Sequence, residues 1–211
     1  MNVHPDFTSK QPDLEAIAQA AVSDESYREQ LFAMLLPGSK RAQARYNSYR
    51  ALLLLTETNP ELLLAKWDQL VEMLSNNNKD ILFIAVNLVA NLAVVDKQGR
   101  FEAIFDPFFN LLGDQSSVVA MHTAGVSGKI ALAQPHLREQ ITRRLFEIDR
   151  LRSNQGNIEL VKAYAIAAFD EFFAVSSEQA EILRYVSQQL TSTSPKTRKA
   201  AKEFLKKHSQ V

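Results

Sequence analysis

The chain has 211 residues, 46% of them hydrophobic, with 24 basic and 24 acidic side chains and no cysteine. Such a chain can bury a substantial core, while its balanced charge excludes long-range capture of nucleic acid or of an anionic membrane by the surface as a whole. The lack of cysteine removes disulfides, thiol nucleophiles and Cys-based zinc sites, and fits a reducing, cytoplasmic address.

Residues 1–12, MNVHPDFTSKQP, hold no apolar stretch of the signal-peptide kind and read as a flexible lead. From Leu14 to Leu205 apolar residues recur at i, i+3, i+4 and i+7. That period predicts helices over 13–22, 25–36, 40–57, 61–75, 79–95, 100–112, 116–133, 136–150, 157–174, 178–191 and 195–207. Pro60, Pro135 and Pro195 stand at helix starts, where a missing N–H is harmless. The apolar runs ALLLLT and LFIAV are too short to cross a bilayer, so no membrane contact is expected.

Every second helix opens on one residue order: a small or β-branched anchor, often a basic residue, a small residue, then an apolar pair. The versions are Ala44-Arg45…Ser48…Ala51-Leu52, Ile81-Leu82…Ala85…Leu88-Val89, Val119-Ala120…Thr123…Val126, Val161-Lys162…Ala165…Ala168-Phe169 and Thr197-Arg198…Ala201…Phe204-Leu205. The anchors lie 37, 38, 42 and 36 residues apart along the chain.

This order resembles HEAT repeats, which pair two antiparallel helices through a D-x-S-P-x-V-R type of turn. Ser194-Pro195-Lys196-Thr197-Arg198 and Asp114-Gln115-Ser116-Ser117-Val118-Val119 look like that turn, and Pro107 resembles the proline that kinks many HEAT first helices. The pattern departs at Leu82 and Ala120, where a basic residue is missing, and Asp114 has no counterpart in the other repeats. Armadillo-like or irregular helical stacking is the alternative, whereas the period argues against tetratricopeptide repeats of about 34 residues. Over residues 24–207 the resemblance implies an all-α fold, a right-handed α-α superhelix (solenoid) of about five HEAT-like helix pairs with an extra N-terminal capping helix. One solenoid domain over 13–211 is expected, because each pair hides its apolar surface only against its neighbours.

Chemistry is sparse. His4, His122, His136 and His208 are scattered, so no metal ligand set forms along the sequence, and no cofactor is expected. Gly125-Val126-Ser127-Gly128-Lys129 fails both as a nucleophile elbow and as a phosphate loop. It reads instead as small residues that let helices approach. Asp24-Glu25 and Asp170-Glu171 fit helix starts and surfaces, while Trp67 and the Phe-rich stretches 101–109 and 169–173 follow core spacing.

The expected function is therefore that of a non-enzymatic scaffold or adaptor, binding a protein or peptide on a concave face made by the second helices. Positions three, six and ten after each anchor fall within about 60° of one another beside the buried stripe. They include Asn47 and Arg50, then Asn87 and Asn91, then His122, Gly125 and Lys129, then Tyr164, Ala167 and Glu171, and finally Ala200, Glu203 and Lys207. Of these Arg50, Asn87, Asn91, His122, Lys129, Tyr164 and Glu171 are the candidate partner-binding residues. The alternative function is nucleic-acid binding, like the DNA-glycosylase branch of HEAT-like folds. It would use Lys40, Arg41, Arg45 and Arg50 with Lys196, Arg198, Lys199, Lys202, Lys206 and Lys207. Residues 1–36 carry six acids against two bases, net −4, and 196–211 six bases against one acid, net +5. A monomer, or weak head-to-tail self-association, is expected from that polarity.

Overall fold

Helices begin where the sequence supplies a cap. Asp13 Oδ1 accepts from Ala16 N at 2.9 Å, Asp24 Oδ1 from Tyr27 N at 3.0 Å and Asn78 Oδ1 from Asp80 N at 2.9 Å, each satisfying a first-turn N–H that has no partner within the helix. The computed structural model describes residues 4–36, 38, 41–151 and 157–208. Residues 1–3 of the expected lead, and Lys40 of the basic set, fall outside these.

Contacts group the chain into two compact units, residues 1–95 and 96–211. Unit 1 contains α1 (Leu14–Ser23), α2 (Glu25–Leu35), α3 (Ala42–Thr58), α4 (Trp67–Met73) and α5 (Lys79–Ala93). Unit 2 contains α6 (Arg100–Ala103), α7 (Phe105–Asn110), α8 (Ser117–Ala133), α9 (Arg138–Phe146), α10 (Ile148–Leu151), α11 (Ile158–Phe172), α12 (Gln179–Gln188) and α13 (Pro195–His208). No strand occurs among the described residues. In unit 1, α3 packs between α1 and α5, with α2 and α4 alongside. In unit 2, α11 packs between α8 and α13. Second helix on second helix is the step of an all-α solenoid.

The stripe predicted from the anchors is buried throughout. Ala44, Ile81, Val119, Val161 and Thr197 are all buried, and so are the small residues four further on, Ser48, Ala85, Thr123, Ala165 and Ala201. The first helices are less regular than the period predicts. Residues 60–66 form a 3-10 turn before α4, and the expected helix 100–112 is broken at Ile104, whose φ of −109° and ψ of 10° leave the helical range. The break lies one residue past Ala103, whose carbonyl Pro107 has no N–H to reach. The expected helix 136–150 likewise divides into a 3-10 turn, α9 and α10.

Candidate functional site

The polar positions beside the buried stripe come together in unit 2. The rings of His122 on α8 and Tyr164 on α11 lie 6.4 Å apart and are half-buried. From α13, the Lys196 ammonium sits 4.0 Å above the Tyr164 ring centroid, a cation held on the negative face of the ring. Beyond Tyr164, Ala167 and Ala200 leave a shallow hollow of about 210 Å³ between α11 and α13, edged by Asp170, Glu203 and Lys207.

Two glycines of the GVSGK segment set how closely α8 meets these groups. A Cβ on Gly125 would come 3.3 Å from Tyr164 Cδ1. One on Gly128 would come 2.6 Å from Glu171 Cδ and 2.8 Å from the Ala168 carbonyl oxygen. Glu171 is an exposed residue, but its carboxyl end lies against Gly128. That burial pushes the carboxyl above its ordinary range, against the attraction of Lys129 and with the repulsion of Asp170. Burial pulls the His122 imidazole below its ordinary value, so it is neutral at pH 7. Asp170 is anchored: Lys207 Nζ lies 2.9 Å from its Oδ2, and His208 Nε2 lies 2.5 Å from its Oδ1.

Unit 1 treats its candidates differently. Arg50 is exposed, with its guanidinium 5.8 Å from the Tyr46 ring. Asn87 and Asn91, expected on the accessible column, are only 7% and 3% exposed. Asn87 Nδ2 donates to Phe83 O at 2.8 Å and Asn91 Nδ2 to Thr56 Oγ1 at 2.9 Å. The reason is that α5 is buried on nearly all sides, with Ile81, Leu82 and everything from Ile84 to Ala93 enclosed, so its two asparagines brace α5 itself and the α3 contact. Asn47 is 1% exposed and donates to the carbonyls of Phe7 and Ser9 at 2.9 Å each. The expected flexible lead is thus tied down over its described part. Nothing in the helical period signals that contact, nor the one between Lys196 and Tyr164.

Ser127, the would-be nucleophile, is fully buried and donates to Thr123 O at 2.7 Å within its helix. Among the described residues no three His, Cys, Asp or Glu side chains gather as a metal site, and no helix is long and apolar enough to cross a membrane. Of the six basic residues on α13, four are engaged within unit 2. Lys196 lies on Tyr164, Lys207 pairs with Asp170, Lys199 lies 3.8 Å from Glu203, and Arg198 donates to the carbonyls of Ser192 and Thr193.

Solved structures place this architecture. The chain is similar to a designed armadillo repeat protein at 17% identity and TM-score 0.55, covering 92% of this chain and 90% of that one. It is similar to an engineered protein at 20% identity and TM-score 0.57, over 97% and 86% of the two chains. A designed armadillo repeat protein in complex with the peptide (KR)4 is similar at 16% identity and TM-score 0.57, over 92% and 90%. No protein-family model matches the chain, and no curated protein matches it. The fold is therefore the helical solenoid of armadillo and HEAT-like repeats.

Proposed function

We propose that the protein is a non-catalytic peptide-binding repeat module. In this reading the α8, α11 and α13 face of unit 2 holds a segment of a partner protein that carries a basic side chain. The observation that carries it is Glu171. Its carboxyl lies over Gly128 on this face, where burial disfavours ionisation against the attraction of Lys129, so a further cation brought by a partner would favour the charged form. Support comes from Tyr164, whose ring already carries an ammonium from Lys196, as a partner's lysine or arginine could be carried. His122, Lys129 and the small residues Gly125, Ala167 and Ala200 complete the surface with hydrogen-bonding groups and room for a main chain. A structural neighbour at low identity is in complex with (KR)4, which agrees with a basic ligand. The lack of cysteine suits work in the cytoplasm.

Panning a random twelve-residue peptide library against the protein tests this. Enriched peptides should carry Lys or Arg, and Glu171→Gln should weaken them roughly tenfold, the scale of one charged hydrogen bond. A library that yields no binder, or binders indifferent to both Glu171→Gln and Tyr164→Ala, removes the reading.

A further inference from the structure

Residues 4–9 lie against unit 1 through contacts whose chemistry is recognition of a main chain. The Asn47 amide donates to Phe7 O and Ser9 O at 2.9 Å each, and its Oδ1 accepts from Gln43 Nε2 at 2.9 Å, which fixes which way the amide points. Tyr27 on α2, 3% exposed, donates its hydroxyl to Pro5 O. Burial, aided by the Asp6 charge, pushes that phenol up to about 12, so it stays a donor. Three recognised groups are backbone carbonyls, which any peptide can offer.

Side chains add selectivity. The His4 ring stacks on the Tyr27 ring, centroids 4.4 Å apart and planes 14° apart, and His4 Nε2 lies 3.1 Å from Asp24 Oδ2. Phe7 leans on the same tyrosine at 6.1 Å. The bend that turns the Phe7 and Ser9 carbonyls toward one amide is set by Asp6, whose Oδ1 accepts from Thr8 N at 2.8 Å and Thr8 Oγ1 at 2.6 Å. Asn47 stands three residues after its anchor, the repeat position that His122 and Tyr164 hold in unit 2.

We propose that Asn47 and Tyr27 form a second peptide-binding site, that residues 4–9 fill it as an intramolecular ligand, and that a segment of another chain with an aromatic–proline–aspartate turn can replace them. The proposal rests on the peptide-binding reading but uses none of its residues, so each can fail alone. A tethered ligand competes at an effective concentration of about a millimolar. An outside peptide is therefore excluded until the tether is weakened or outmatched.

The experiment keeps the full chain and weakens only its own ligand, with His4→Ala, Phe7→Ala and Thr8→Ala together. A fluorescent peptide of natural residues 4–12 is titrated and followed by anisotropy, with circular dichroism checking the fold of each protein. The weakened chain should bind saturably, the parent at least about tenfold more weakly, and a scrambled peptide not at all. Adding Asn47→Ala should abolish binding, and adding Tyr27→Phe, which removes only a hydroxyl, should weaken it several-fold. Absence of binding to the folded, weakened chain overturns the proposal. So does binding that a folded Asn47→Ala or Tyr27→Phe chain retains in full.

Discussion

Gly128 lies directly beneath the Glu171 carboxyl, so close that a methyl group on it would fall 2.6 Å from Glu171 Cδ and 2.8 Å from the Ala168 carbonyl. The side chain could swing aside, but the carbonyl belongs to α11. Gly128→Ala should therefore destabilise the protein by about 1–3 kcal/mol, overriding the gain of about 1 kcal/mol that alanine brings to a helix interior. Gly125→Ala faces only the Tyr164 ring edge at 3.3 Å and should change stability by less. Urea denaturation separates the two, and a stabilised Gly128→Ala chain would show that α8 and α11 are not in this close contact.

Ala85 and Ala165, both fully buried, hold the same place in two repeats. Glutamate at either should cost several kcal/mol, because it forces an unpaired charge into a close helix contact. An unchanged melting temperature for Ala85→Glu would mean that the repeat register is misassigned.

Burial works against the Lys162 ammonium, yet its hydrogen bonds to Asp149 and Glu159, 2.7 Å each, outweigh that and hold its pKa above the ordinary lysine value. The Glu159 carboxylate also accepts from the Ser192 hydroxyl, and its backbone carbonyl accepts from Thr197 Oγ1 at 2.5 Å. Lys162→Met should therefore destabilise by about 1–3 kcal/mol by taking the cation away from Glu159 and Asp149. Lys162→Met with Glu159→Gln should recover part of the loss. Thermal melts of the three proteins decide it, and a Lys162→Met chain as stable as the parent would contradict the network.

The pH dependence has two opposed contributions. The His122 pKa is lowered by burial from 6.5, so its contribution is present above that value and is lost as pH falls through the lower, folded one. His122→Asn should flatten the fall in stability between about pH 7 and pH 5. The Glu171 pKa is raised from 4.5, so stability drops as pH rises past that value. Glu171→Gln should be the more stable protein at pH 7 and lose that advantage at pH 3. Stability curves measured by denaturant at several pH values report both, and a Glu171→Gln chain less stable than the parent at pH 7 would show that the carboxylate serves folding.

The repeat was legible because burial repeats with the sequence: every anchor and every small residue four positions later lies in the core. Trp67 and the Phe101, Phe108, Phe109 and Phe169 rings are buried as their spacing predicts. Helical periodicity ranks one face against another, so it could not reveal that α5 is enclosed on nearly every side and that Asn87 and Asn91 go inside with it. Breaks at Ile104 and Glu147 depend on local backbone geometry that an apolar pattern does not register. The Asn47 contact with Phe7 and Ser9 joins residues about forty apart through main-chain carbonyls, which carry no sequence signal at all.

We propose that the α8, α11 and α13 face of unit 2 holds a basic peptide segment, and NMR of the isotopically labelled protein titrated with a library-selected peptide decides it. The largest shift changes should fall on the Gly125 amide and the Ala167 and Ala200 methyl groups, and Tyr164→Ala with Glu171→Gln should remove them while leaving the rest of the spectrum in place. Shift changes confined to α9, α10 and α12, or unaltered by that pair of substitutions, would contradict it.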